Sequence, residues 1–584
     1  MCKRIPRATL VFVTSLVLIF GGVFPAPAMA ELERQPYLQS ISDTRVVMRW
    51  RTTSGDSSRV SYGSSVGNLD TDVDMAGLRT EHEVVITGLA ANTKYFYSVG
   101  SVSGSIEAGN DAGHYFITAP DVGSSRKIRI WAIGDAGTGK TTQDDVRDAY
   151  YNLDDVETDV VLALGDNAYS DGTESDYTNN FFNVYNGLLK HAPVWSTRGN
   201  HDRDPGIYET AFTHPTQAEG GGIASGSELY YSFDYGNIHF VCLDSFTDSN
   251  LKGTAMYTWL ENDLASTLQK WIIAYWHHPP YSRSSAHDSD RESGQRLSRE
   301  MANPILESYG VDLQLGGHNH FYSRTVLINN HYGLSDTWDA DIHAIDPGDG
   351  RGNGDGVYRK ESNPEGAVYV LAGSSGKIDY TPIHHPANFI EDEVLGSMVI
   401  DVEGDRMDVR MLRENGTVQD YFSITKAPQA NQAPRVNAGN NQSAETGVAI
   451  NLDATVNDDG LPAGVLTYDW IKVSGPGTAA FANGAAVDTP VSFSAAGSYT
   501  LQLAASDGVL SASDQIIITV TDPDDPGSVI VAAPGASGNV KKSSSAGSVD
   551  ATLLLGFLLL ALLRRHVRAR VVYIVTPGRN RDHP

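Results

Sequence analysis

Aspartates, asparagines, a tyrosine and several histidines stand in five short polar clusters between residues 134 and 320. The clusters are Gly134-Asp-Ala-Gly137, Gly165-Asp-Asn-Ala-Tyr169, Gly199-Asn-His-Asp202, His277-His-Pro-Pro280 and Gly317-His-Asn-His320. They offer hard oxygens and imidazole nitrogens and no thiolate. That donor set suits iron, zinc or manganese rather than a structural zinc cage. A carboxylate can bridge two cations, and two metals roughly 3.5–4 Å apart clamp the attacking and leaving oxygens of a phosphoryl transfer. The chemistry such a pair could serve is phosphoryl transfer.

Each cluster sits directly behind an apolar run: Ile128–Ile133, Val160–Leu164, Pro193–Thr197, Trp271–Trp276 and Val311–Leu315. Runs of this length read as buried strands. Strands that end in ligand-bearing loops would put all five clusters along one edge of a sheet, where layered α/β folds place their sites. Glycine opens every cluster except the one at His277, letting the backbone turn sharply and a metal or phosphate approach closely.

The order Gly-Asp-x-Gly, Gly-Asp-x-x-Tyr, Gly-Asn-His-Asp, a histidine behind a strand, and Gly-His-x-His resembles the purple acid phosphatases, within the calcineurin-like metallophosphoesterases. The resemblance implies a ferric ion held by Asp135, Tyr169 and His320. It implies a divalent ion (zinc, iron(II) or manganese) held by Asn200, His277 and His318, with Asp166 bridging the pair. His277 is the better match than His278, because the family's histidine is followed by one residue and then proline. His201 and His287 fall where the family keeps histidines that orient phosphate and protonate the leaving group, the His287 match being counted through a variable loop. The implied activity is that of an acid phosphatase cleaving small phosphate monoesters with hydroxide activated at the metals. A phosphodiesterase or nucleotidase on the same site stays open.

One rival motif overlaps the first cluster. Gly134-Asp-Ala-Gly-Thr-Gly-Lys-Thr141 matches G-x-x-x-x-G-K-[ST], behind a strand and ahead of a helix expected over 141–153. As a P-loop it would bind nucleotide phosphates through Lys140 and backbone amides. The other four clusters would then be unexplained. A second rival is a non-catalytic surface protein on a decayed phosphatase domain, which should have lost ligands; here all seven are present.

The ends read as targeting segments. Lys3, Arg4 and Arg7 precede an apolar run from Ala8 to Phe24 and a small-residue Ala-x-Ala site ending at Ala30, the build of a signal peptide over 1–30. A Gly/Ser-rich linker (523–550) leads to an apolar segment and arginine cluster at 551–570. It is shorter than the roughly twenty residues that span a bilayer, and it resembles a C-terminal sorting signal or a tail anchor. The expectation is an exported protein, periplasmic, secreted or attached to the cell surface or membrane by its tail.

The formal net charge is −28, and both ends are net positive, so a processed chain would be more acidic still. Nucleic acid as a bound partner is excluded on that ground, since backbone binding needs a basic face. Without Cys2, which falls in the signal, Cys242 has no partner for an internal disulfide; its run reads as a buried strand. The stretch 346–356, rich in Gly and Asp, reads as a loop, with calcium binding the lesser alternative.

Residues 34–120 read as a fibronectin type III-like sandwich with an early core Trp50 and a Thr93-Lys-Tyr-Phe-Tyr97 corner. Residues 434–522 resemble a polycystic-kidney-disease-type (PKD) sandwich. The expected fold is multidomain: an α+β four-layer metallophosphoesterase core over 127–426, flanked by two all-β immunoglobulin-like sandwiches. The sequence leaves the oligomeric state open.

Overall fold

The computed structural model describes residues 31–523 apart from 361–364, 380, 428–430, 459–460 and 463–465. The expected signal peptide, the C-terminal segment at 551–570 and all but the first residue of the linker lie outside the described residues.

Two seven-stranded sheets position the site. The first runs in the order Tyr358–Lys360, Val418–Lys426, Arg406–Arg413, Gly396–Glu403, Ile128–Ile133, Val160–Ala163, Val194–Ser196. The second runs Tyr231–Tyr235, Ile238–Cys242, Trp271–Tyr275, Leu313–Gly316, Val368–Ala372, Tyr322–Thr325, Asn388–Asp392. They share one core, in which Ile130, Ala132, Leu162 and Trp195 meet Phe233, Phe240, Ile273, Leu313 and Val370. The alternate residues Trp131 and Ile133 point the other way, into a cluster with Tyr150, Phe181 and Tyr185. On the far side, helix Ala255–Ser266 and helix Asn303–Ser308 cover the second sheet through Leu260, Leu264 and Leu306. Both faces of the central strands are therefore buried, which is why they read as unbroken apolar runs. The layers are α/β/β/α, the four-layer core expected from the sequence.

The strand ends decide where chemistry can occur. Ile128–Ile133, Val160–Ala163 and Val194–Ser196 are parallel. So are Ile238–Cys242, Trp271–Tyr275, Leu313–Gly316 and Val368–Ala372. Five of these strands end in the five clusters. Val368–Ala372 brings a further loop, Gly373–Asp379, to the same edge.

Ahead of this core, strand Arg45–Gly63 pairs with Leu32–Gln39 through its first half and with Lys94–Gly100 through its second. Register shifts at Arg51, Asp56 and Ser58 separate the halves. A strand that changes partners at a bulge makes the corner of a sandwich. Trp50 is fully buried there. Tyr95 is the corner tyrosine, accepting the Ala90 N–H at 3.0 Å, whereas Tyr97 donates to Lys190 O of the phosphoesterase core at 2.7 Å. Behind the core, Thr467–Ser474, Gly497–Ser506, Ser511–Thr521 and Gln442–Glu445 form a four-stranded sheet. It packs with a three-stranded sheet around Trp470, Phe493 and Leu501.

Cys242 lies in the core, where burial pushes its thiol up to about 12, so it is a packed side chain and no nucleophile. The 346–356 loop closes on itself, Asp349 Oδ1 accepting the N–H groups of Arg351 and Asp355. Among the described residues no helix is long and apolar enough to cross a membrane.

Candidate metal centre

The donors converge because the backbone at each strand end turns sharply. Asp135, Asp166 and His318 all have φ in the left-handed region (54°, 51° and 73°), a conformation that costs a non-glycine residue roughly 1 kcal/mol or more. Gly165, at φ 88°, precedes Asp166; a Cβ there would lie 2.5 Å from His277 Nδ1. Two clusters distant in sequence can therefore touch only across a residue without a side chain.

The side chains meet in two groups joined by one carboxylate. In the first, Tyr169 Oη lies 3.1 Å from Asp135 Oδ1 and 3.3 Å from His320 Nε2, and His320 Nε2 lies 3.3 Å from Asp135 Oδ1. In the second, Asn200 Oδ1 lies 3.1 Å from His277 Nε2 and 2.8 Å from His318 Nδ1. Asp166 stands between them, with Oδ2 2.8 Å from Tyr169 Oη and Oδ1 3.3 Å from His277 Nε2. Asp135, Asp166 and His318 are almost wholly buried.

Whether such a cluster fits metal ions is answered by its hydrogens. His277 Nδ1–H donates to Leu164 O at 2.9 Å, leaving a bare Nε2 that faces the oxygens of Asn200 and Asp166. His318 Nε2–H donates to Glu292 Oε2 at 2.8 Å, leaving a bare Nδ1 facing the same Asn200 oxygen. These nitrogens and oxygens crowd together in one buried place, where a cation would satisfy them all at once and a second proton on the imidazoles would be the alternative. In the first group one phenol proton serves two carboxylates. The residues fit a pair of metal ions.

The charges respond accordingly. Burial pushes Asp135 up, but His320, His277 and His318 outweigh it and hold the carboxyl below its usual range. Burial lowers the His277 imidazole, yet Asp166 and Asp135 raise it overall. His318 is held down to about 4, chiefly by burial. Burial, then Asp135 and Asp166, push the Tyr169 phenol well above its ordinary value.

Around the donors lie residues that hold them. His201 donates its backbone N–H to Asp166 Oδ1 at 2.7 Å, and its ring Nδ1 lies 2.6 Å from Ser170 O. This sets Nε2 4.0 Å from Asp166 Oδ2. The His287 ring packs on His318 with centroids 4.0 Å apart. Its Nδ1 is 2.6 Å from Glu292 Oε1, so Glu292 holds both histidines at once. His278 turns away from the donors to Ser245 Oγ at 2.9 Å. Asp202, though in the third cluster, is a loop clamp: it accepts from Gly199 N, Asn167 N and Nδ2, and Tyr177 Oη. Burial pushes it up to about 6.

Glu292 and Asp379 are the near residues that sequence reasoning missed; Asp379 Oδ2 lies 3.1 Å from His320 Nδ1. Glu292 sits in a run with Asp288 and Asp290, and nothing in residue type separates the three. Their partners do: Asp288 pairs with Arg283 and Asp290 accepts from the Ser335 backbone.

The P-loop alternative fails on its amides. In the 134–141 loop, Asp135 N–H donates to Gly165 O, Thr138 N–H to Ala136 O and Gly139 N–H to Gln143 Oε1. These donors are turned into the protein, and the Asp135 carboxylate is engaged by the His318 N–H and Tyr169 Oη.

A two-sheet α/β/β/α core with a paired donor cluster on one edge defines the metallophosphoesterase class of fold. Comparison with known proteins agrees. Residues 128–322 match the calcineurin-like phosphoesterase family, 34–113 the purple acid phosphatase N-terminal domain and 438–520 a PKD domain family. Purple acid phosphatase 15 of Arabidopsis thaliana is 29% identical over 337 residues, which span 52% of this chain and 55% of that protein. Purple acid phosphatase 18 of the same plant is 29% identical over 363 residues, 58% and 76% of the two chains. The solved purple acid phosphatase PPD1 from yellow lupin (Lupinus luteus) seeds shares the fold with a TM-score of 0.53 at 20% identity, over 67% of this chain and 74% of that one. The chain therefore carries a calcineurin-like metallophosphoesterase domain between a purple acid phosphatase N-terminal domain and a PKD domain.

Proposed function

We propose that this protein is an exported phosphatase that hydrolyses small phosphate esters, monoesters foremost, at a binuclear metal centre. The observation that carries the reading is the convergence of metal-binding side chains: His277 Nε2, His318 Nδ1 and Asn200 Oδ1 on one side, Asp135, Tyr169 and His320 on the other, with Asp166 between. Asp135, Tyr169 and His320 would hold a ferric ion, and Asn200, His277 and His318 a zinc, iron(II) or manganese(II) ion. When bound, the pair lowers the pKa of water and offsets the charge of the phosphoryl group.

The chain's own residues supply the rest. Glu292 keeps the His318 proton on Nε2, so that Nδ1 faces inward. His201, fixed through Nδ1 at Ser170 O, presents Nε2 to the phosphoryl oxygens and can pass a proton to the leaving oxygen. His287, fixed by Glu292 and packed on the His318 ring, would assist from beside the second metal position. The test is hydrolysis of p-nitrophenyl phosphate, bis-p-nitrophenyl phosphate and nucleotides by metal-loaded protein. Asp166→Ala and Asn200→Ala should abolish turnover and lower bound metal while the circular dichroism stays native; near wild-type rates in either variant would overturn the assignment.

A further inference from the structure

The loop behind Val368–Ala372 brings a cation to the rim of the centre. Lys377 Nζ lies 4.0 Å from the Tyr169 ring centroid and 3.3 Å from Asp379 Oδ2. The same Asp379 oxygen is 3.1 Å from His320 Nδ1. One carboxylate is therefore shared between an ammonium and an imidazole. The ammonium is a compact charge with three donors. The Lys377 side chain is 17% exposed, so part of it is open to a ligand. It stands one aromatic ring away from the Tyr169 oxygen that touches Asp135 and Asp166.

The lysine is held at that place. Ser375 donates its N–H to Gly134 O at 3.1 Å and its Oγ to Gly396 O at 2.9 Å. Gly376 O accepts from Thr138 Oγ1 and Thr142 Oγ1. The segment before Lys377 is thus pinned to the loop that carries Asp135, and the cation keeps its distance from the metal donors. The neighbouring Ile378 and Asp379 are exposed, so the lysine sits at the solvent rim beside the donors.

We propose that Lys377 is a specificity-determining residue that favours phosphate esters whose leaving group carries a second anionic group, such as a carboxylate or a further phosphate. The proposal rests on the phosphoesterase reading above. It is tested by binding rather than turnover, using calorimetry on metal-loaded protein with butylphosphonate and 4-phosphonobutanoate, which differ by a terminal carboxylate. The wild type should prefer 4-phosphonobutanoate. Lys377→Gln should reduce that preference about five-fold, the worth of one rim ion pair, Lys377→Glu should reverse it, and Lys377→Arg should restore it at least in part. A preference unchanged in Lys377→Gln, or lost equally in Lys377→Arg, overturns the role of Lys377 and leaves the phosphatase reading standing. If neither phosphonate binds the wild type, the phosphatase reading itself fails and this proposal falls with it.

Discussion

At the scale of single residues, the candidate site is a set of acceptors that would hold a cation and a smaller set of residues that decide which atom each acceptor presents. Glu292 belongs to the second set. Replacing it with Gln removes the charge that holds the protons on His318 Nε2 and His287 Nδ1. Losing such a partner of a metal-binding histidine typically costs on the order of 10–100-fold in metal affinity, so chelator competition should show a drop of that size in Glu292→Gln; unchanged affinity would mean that His318 is oriented by something else. Tyr169 allows a second check. Iron-loaded wild type should be coloured by phenolate-to-iron charge transfer, and Tyr169→Phe, which keeps the ring and deletes the oxygen, should bleach the visible band. The donor types were legible in the sequence because each sits at a fixed offset from an apolar run. Glu292, Asp379 and Lys377 were not, because they reach the centre from irregular loops where spacing carries no direction.

At the scale of elements, parallel strands ending at one edge do the positioning, and the glycines before the donors let the strand ends approach. Two glycines separate strain from contact. Gly165 and Gly206 both have positive φ (88° and 79°), but a Cβ on Gly206 meets nothing within 4 Å, whereas one on Gly165 meets His277 Nδ1 at 2.5 Å. Gly206→Ala should therefore cost only the backbone penalty, about 1–2 kcal/mol. Gly165→Ala should cost more by thermal melting and should also lose bound metal, since His277 must move. Equal effects in the two variants would show that the close approach is unimportant. The element boundaries of the core strands were readable as apolar runs because both their faces are covered. The corner in Arg45–Gly63 was not, since a change of partner at a bulge leaves no periodic trace.

At the scale of the whole molecule, buried histidines set the pH window of the fold. His82, stacked on Trp50, is held down to about 4 and His214, stacked on Tyr231, to about 3, in both cases mainly by burial. Their folded values lie below the ordinary 6.5, so their contribution is complete above that pH and is lost as pH falls towards 4 and 3. His239 behaves oppositely. Burial lowers it, but Asp263 and Asp234, 2.9 and 2.8 Å away, raise it to about 10. Its contribution is complete below 6.5 and is lost as pH rises towards 10. The melting temperature should thus fall on both sides of neutrality. His239→Gln should lower it near neutral pH and flatten its alkaline limb while leaving the acid limb in place. An alkaline limb as steep as that of the wild type would show that His239 is not charged in the fold.

The sequence by itself determined the candidate donor types, the order of the five clusters and the apolar runs ahead of them, because residue type and periodicity act locally and leave a mark at every position. The four-layer core and the two sandwiches were legible through the resemblance of those ordered motifs to known families. Tertiary structure alone decided which nitrogen of each histidine faces inward, that Asp202 clamps a loop while Glu292 supports two histidines, and that the 134–141 amides are spent inside the protein. Those outcomes depend on partners far apart in the chain: His277 on Leu164, His318 on Glu292, Asp135 on Gly165. A proton's place on an imidazole, or a carboxylate's choice between metal and backbone, is fixed by what lies within about 3 Å of it, and a linear pattern does not encode that distance.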